Sequence, residues 1–380
     1  MRTNVVSSFI TPSIFWEHST DEWIISDEWN LCQKLGKDEC FSVLKSHWES
    51  FVSIDDFKKI KDAGLNIVRI PVGFWSYLDV EGPYVAGAAP YLDKAIDWAR
   101  ETGLKVAIDL HGAPGSQNGF DHSGHRLKQP GWGQDDSIIR THEVLKILEG
   151  KYADPSMQDV VVAIEILNEP NLVKLDWDMV KQFYRDGYYN LRLISDTPMM
   201  IHDGFEQPSW LNNFLTPSDN NAQNVIVDHH EYQIFNAYQV AWSPTQHLDS
   251  VCKAVDYWAD SDKWMVVGEW SGAMTDCAPH LNGFKAGSRY EGTFGDSWYI
   301  GSCWGKSGEV KYWSQEWKDE VRRYIEAQLD AFEAKTKGWM FWNFKTEGSA
   351  GEWDLFQLLD AEVFPQPLTD RKFGKYCDNF

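Results

Sequence analysis

Two glutamates stand where a pair of carboxyls could share acid–base and nucleophilic work. Glu169 lies in the segment Ile164-Glu165-Ile166-Leu167-Asn168-Glu169-Pro170, and Glu269 in Val266-Val267-Gly268-Glu269-Trp270. Each follows an apolar, β-branched run, as at the end of a strand buried on both faces. One carboxyl that donates a proton and a second that acts as nucleophile or base can cleave a glycosidic bond. The chain's 20 tryptophans fit that chemistry. Indole faces stack on sugar rings, although core packing should claim roughly two-thirds of them.

Such carboxyls need strands and helices to hold them. Strand-like runs cover residues 66–71, 105–110, 160–167, 198–202, 224–228, 264–268 and 338–342. Stretches of helical period cover 54–63, 91–102, 137–148, 179–194, 248–258 and 316–334. This alternation predicts a parallel sheet with crossover helices, and the fold class expected is an α/β (β/α)8 barrel. The barrel needs an eighth strand. Only residues 3–9 could supply it, and they are short and polar, so the first strand reads as truncated or replaced. An open doubly wound sheet is the alternative, but no Gly-rich phosphate loop follows an early strand. No linker, repeat or low-complexity run divides the chain, which predicts one domain over 1–380. Barrel active sites form at the C-terminal strand ends. Those ends carry Arg69, His111, Asn168 with Glu169, Asp203, His230 with Tyr232, Glu269 and Trp342.

The formal charge is −22. Phosphate-binding surfaces need clustered Lys and Arg, and the chain has no such cluster, so neither nucleic acid nor an anionic membrane is an expected partner. No apolar run is long enough to span a bilayer. The six cysteines show no metal-ligand spacing, so neither zinc nor any other metal or cofactor is expected. His111 and His230 are read as hydrogen-bonding groups, because no third ligand stands at metal spacing. An even cysteine count suits three disulfides in a secreted protein. The N-terminus, however, opens no signal peptide, and there is no Asn-x-Ser/Thr sequon.

The ordered set of motifs resembles the fungal exo-β-1,3-glucanases of glycoside hydrolase family five. It comprises Phe9-Ile10-Thr11-Pro12-Ser13, residues 66–73, the run from Asp109 through His111-Gly112 to Gly119-Phe120, residues 167–170, His229-His230-Glu231-Tyr232-Gln233, residues 268–271, and Phe364 to Arg371. The resemblance runs from about Phe9 to the C-terminus. It implies a secreted, monomeric barrel enzyme that removes glucose from non-reducing ends of β-1,3-glucan with retention. It assigns Glu169 as acid/base and Glu269 as nucleophile. Arg69, His111, Asn168, His230, Tyr232 and Trp342 would line the glucose pocket, and Phe120 with Phe235 would clamp the next sugar. It also implies the disulfides Cys252–Cys377 and Cys277–Cys303, leaving Cys32 and Cys40 for a local bridge. Two departures stand out. The family's Gly-rich first strand ends in a glutamate, where this chain has Ser7. The family usually has asparagine at the position of His122, which faces the second sugar.

A retaining mechanism sets its carboxyls roughly 5–5.5 Å apart. Glu169 would start protonated, its pKa raised by the neighbouring negative charge. Glu269 would be ionised and oriented by Arg69 and Tyr232. Asn168 would bond the sugar 2-hydroxyl. Glu165 reads as structural, and His229 either as support behind the site residues or as packing. Two further readings stay open. His122 prompts a related β-glucosidase or diglycosidase with altered second-subsite preference. Ser7 and the short N-terminus prompt a catalytically degraded glucan-binding barrel.

Overall fold

The computed structural model describes residues 13–78 and 82–379. Seven strands form one sheet: β1 (Ile67–Gly73), β2 (Lys105–Gly112), β3 (Val161–Glu165), β4 (Met199–His202), β5 (Val225–Glu231), β6 (Trp264–Trp270) and β7 (Trp339–Phe341). Hydrogen-bonded neighbours follow chain order from β1 to β7. The pairs β1–β2, β2–β3, β3–β4, β4–β5 and β6–β7 are parallel. A doubly wound sheet reverses its strand order at a switch point. The order here never reverses, so that alternative falls. The expected first strand and Ser7 lie outside the described residues.

By contact density the chain divides within β5, between Asp228 and His229. The first unit contains β1 to β4 and the start of β5. Its helices Ile54–Asp62, Ala89–Thr102, Ser137–Tyr152 and Trp177–Arg192 fall on the expected segments, two of them ending one or two residues earlier. Local chemistry explains their ends. Ser53 and Asp56 form a capping box at the first of them. Gly103, at φ +71°, ends the second in the left-handed conformation that glycine adopts without a Cβ penalty.

Two helices that the pattern of residues 13–53 does not announce, Glu28–Leu35 and Lys37–Ser50, are joined by the Cys32–Cys40 disulfide. They enclose a separate apolar cluster that includes Phe15, Ile25, Leu31, Leu44 and Trp48. No α-helix links β4 to β5. That connection holds only a 3-10 turn, Pro208–Leu211, and several residues with positive φ.

The second unit contains the end of β5, then β6 and β7, with helices Pro244–Ala259 and Gln315–Lys335. Between β6 and the latter helix runs a long irregular segment closed by Cys277–Cys303. Cys252–Cys377 ties the first helix to the C-terminal segment across 125 positions. Bridging so long a loop removes conformational freedom from the unfolded chain, worth about 2–4 kcal/mol. Reducing agent should therefore lower the melting temperature. Unchanged melting after full reduction, verified by thiol counting, would contradict this.

Glu352 is buried, and its side chain accepts a 2.9 Å hydrogen bond from the Ser307 hydroxyl. Burial pushes this carboxyl up to about 8 from its ordinary 4.5. It holds its proton more tightly folded than unfolded. Its contribution is therefore complete below pH 4.5 and is lost as pH rises toward about 8. The slope in that window is about 1.4 kcal/mol per pH unit for one such group. Glu352→Gln should flatten the decline in melting temperature between pH 5 and 8. Parallel pH–stability curves for variant and parent would refute it.

Candidate active site

The first unit gathers its polar residues around Arg69 on β1. The guanidinium is buried. Its Nε donates to Glu165 Oε2 at 2.8 Å, and one terminal nitrogen donates to Asn168 Oδ1 at 2.7 Å. Asp109 Oδ2 lies 3.1 Å from that side chain and Asp228 Oδ2 3.6 Å. Register explains the crowding, because Asp109 pairs directly with Glu165 across β2 and β3. One cation cannot balance three buried carboxyls. Burial accordingly holds the Glu165 carboxyl well above its usual range, Arg69 pulls it down, and Asp228 and Asp109 push it further up. Glu165 is thus part of the support around Arg69.

Asp109 also fixes His111. Its Oδ2 lies 2.6 Å from His111 Nδ1, so that nitrogen carries the proton and the other ring nitrogen is the acceptor of the neutral form. Gln117 locks the two strand ends together. Its amide nitrogen donates to the backbone oxygens of His111 and Asn168 at 2.8 and 2.9 Å. Its oxygen accepts from Ala113 N at 3.1 Å. Asn168 is fully buried, and among the described residues its Nδ2 has no hydrogen-bond partner.

Glu169 leaves the strand through a sharp turn with φ +45°. A non-glycine residue enters that region at a cost of about 1–3 kcal/mol, which the surrounding bonds must offset. Its Oε2 lies 3.1 Å from His122 Nε2. The His122 ring also contacts His111 and Phe120, each with centroids 5.4 Å apart. Phe120 has a second aromatic neighbour, Phe205, at 6.3 Å. Asp203, after β4, accepts a hydrogen bond from Phe205 N.

The second unit gathers its residues around Glu269 on β6. Tyr232 donates its hydroxyl to Glu269 Oε2 at 3.0 Å. His230 Nδ1 stands 3.7 Å from the same oxygen. Tyr232 packs against Trp353 and Phe235, with ring centroids 5.3 and 5.7 Å away. Trp342, just after β7, is buried with Trp353 in one apolar cluster that Tyr232 also touches. Its backbone nitrogen donates to Trp270 O. His229 points the other way along β5, toward Glu231 at 3.4 Å and the Trp258 ring at 5.8 Å.

Four contributors escape a reading of strand ends. Asp109 and Asp228 each precede an end histidine by two positions, so they share its face one layer deeper. A charged residue inside an apolar strand was the available signal. Gln117 and Phe205 act from loops, where no periodicity marks them.

A sequential parallel sheet with buried carboxyls, an arginine and aromatics at its strand ends defines a glycoside hydrolase. The family model described as Cellulase (glycosyl hydrolase family 5) matches residues 32–348, and the chain belongs to that family. Its fold is accordingly the (β/α)8 barrel. The chain is 46% identical over 383 residues to a glucan 1,3-beta-glucosidase of Schwanniomyces occidentalis, covering 98% of this chain and 88% of that protein. It is 45% identical over 379 residues to another, from Blumeria graminis, covering 98% and 87%. In fold it is similar to a rutinosidase from Aspergillus niger, with TM-score 0.71 over 93% of each chain at 18% identity.

Proposed function

We propose that this chain is a retaining exo-β-1,3-glucosidase that releases glucose from the non-reducing ends of β-1,3-glucans. The relatives named above support the substrate class, and the site chemistry supports the reaction. Glu269 is the nucleophile. The Tyr232 hydroxyl donates to one of its oxygens and orients the carboxylate that must attack the anomeric carbon. Glu169 is the acid/base. It donates a proton to the departing oxygen, then takes one from the water that hydrolyses the glycosyl-enzyme.

The observation that carries this reading is the Asn168 amide nitrogen, which has no hydrogen-bond partner among the described residues. Arg69 occupies its oxygen and holds its buried Nδ2 in place beside Glu169. A buried donor without a partner costs about 1–3 kcal/mol. A sugar 2-hydroxyl would satisfy it, and that bond strengthens as the oxocarbenium ion develops. His111 and His230 supply further hydroxyl contacts, Trp342 a stacking floor, and Phe120 and Phe235 apolar faces for the following sugar.

Proton NMR of laminaribiose hydrolysis tests the proposal. Glucose should appear first as the β-anomer, and longer oligomers should shorten one unit at a time. The α-anomer first, or internal cleavage, would overturn it.

His122 favours a second reading, altered leaving-group preference, because it stands 3.1 Å from the acid/base oxygen. The ratio of activities on laminaribiose and an aryl β-glucoside separates the two. The three disulfides support an oxidising, extracellular setting. Among the described residues no helix is long and apolar enough to cross a membrane.

A further inference from the structure

Large aromatics crowd the exposed edge of the second unit. Tyr238 is 73% exposed, Tyr299 69% and Trp298 45%. Single exposed aromatics need no explanation. These are contiguous, with the rings of Tyr238 and Trp298 centred 5.3 Å apart and inclined at 62°.

They are also held still. Tyr238 stands on the short helix Ala237–Val240, whose first turn is capped by Asn236 and whose Val240 is buried in the cluster around Trp342 and Trp353. Trp298 stands on the disulfide-closed segment after β6. There the buried Asp276 carboxylate accepts from the backbone nitrogens of Arg289 and Tyr290 at 2.7 and 3.0 Å. Tyr290 O in turn accepts from Ile300 N and Gly301 N, both at 3.0 Å. Tyr290 and Ile300 pack on the same cluster as Tyr232. One apolar base thus supports both the Tyr232 that holds Glu269 and the two exposed rings. Phe235, three residues before Tyr238 in the chain, packs against Tyr232.

A buried, hydrogen-bonded scaffold that holds exposed aromatic rings in place suits a ligand with apolar faces. The chain's charge of −22 disfavours an anionic one. Neutral sugar rings meet both conditions. The inclination narrows the linkage. Successive rings of a β-1,4 chain form a flat ribbon, whereas a β-1,3 chain coils and turns each ring relative to the last. Platforms at 62° suit the coil.

We propose that Tyr238 and Trp298 form a binding site for β-1,3-linked glucosyl units beyond the sugar at Phe235, so that the enzyme holds polymer more firmly than short substrate. This rests on the glucosidase reading above.

The test uses the double variant Tyr238→Ala/Trp298→Ala, with Trp298→Ala alone as a milder second variant. Losing two stacking faces should lower kcat/KM on laminarin about tenfold while laminaribiose stays within about twofold. In the inactive Glu269→Gln background, the double substitution should weaken retardation in a laminarin-containing native gel about tenfold. Neither protein should be retarded by hydroxyethyl cellulose. Equal retardation by laminarin with and without the two rings, or equal losses on polymer and disaccharide, would overturn the site. Equal retardation by the β-1,4 polymer would overturn its linkage. Failure of the parent enzyme to cleave laminaribiose would instead sink the glucosidase reading, and the gel comparison would still decide the site.

Discussion

Glu269→Ala should lose turnover by a factor on the order of 10^4 to 10^6, the range seen when a nucleophile is removed from an intact site. The neighbours of Glu269 make this a clean deletion. Tyr232 is packed against Trp353 and Phe235, so it has ring contacts to keep its position when the carboxylate is gone. The vacated volume can admit a small anion. Azide or formate should then restore part of the activity on an aryl β-glucoside with a good leaving group. Attack by azide from the nucleophile's side gives an α-glucosyl azide, the opposite anomer from the normal product. Turnover by the variant within about tenfold of the parent would remove Glu269 from the covalent step. A β-configured azide product would reassign it.

Arg69→Met should destabilise the protein by about 3–5 kcal/mol at pH 7, because a buried cation is removed from among the carboxyls it pairs with. The penalty has a sign in pH. Without Arg69, Glu165 loses the charge that pulls its pKa down, and the buried carboxyls as a group favour their protonated form when folded. Below the unfolded carboxyl values near 4 they are neutral in both states, and the loss is small. It grows as pH rises through neutrality. Urea denaturation at pH 4 and pH 7 measures the difference. Equal losses at the two pH values would show that lost packing, not lost charge, is responsible. No loss at either would show that the carboxyls are already neutral beside Arg69. Activity should fall as well, since Asn168 loses the bond that fixes its amide.

The legible parts of this protein are those written in local pattern. The observed strands lie close to the apolar runs because a parallel strand is buried on both faces and its whole length must be hydrophobic. β2 continues through His111 and β6 through Trp270, beyond where the apolar run stops. A strand needs only backbone partners to continue, and polar residues at its end can face a site. The helices Glu28–Leu35 and Lys37–Ser50 are harder to see. Each fully buries only three residues, Glu28 among those of the first, and leaves the rest half-buried or exposed, so their apolar signal is weak until the chain is folded.

The class of chemistry can be read from sequence by itself, because a carboxyl that ends an apolar run, as Glu169 and Glu269 do, is locally conspicuous. What surrounds them cannot. The carboxyls nearest Arg69 belong to Glu165, Asp109 and Asp228, and parallel register, not spacing along the chain, brings them there. Gln117 joins two strand ends through backbone oxygens, which no side-chain pattern encodes. The contact of His122 with Glu169 likewise depends on how a loop folds back over β3. Local sequence determines which residues end a strand. Tertiary structure alone decides which ends meet, because that is settled by the register of strands far apart in the chain and by loops whose bonds are made across it.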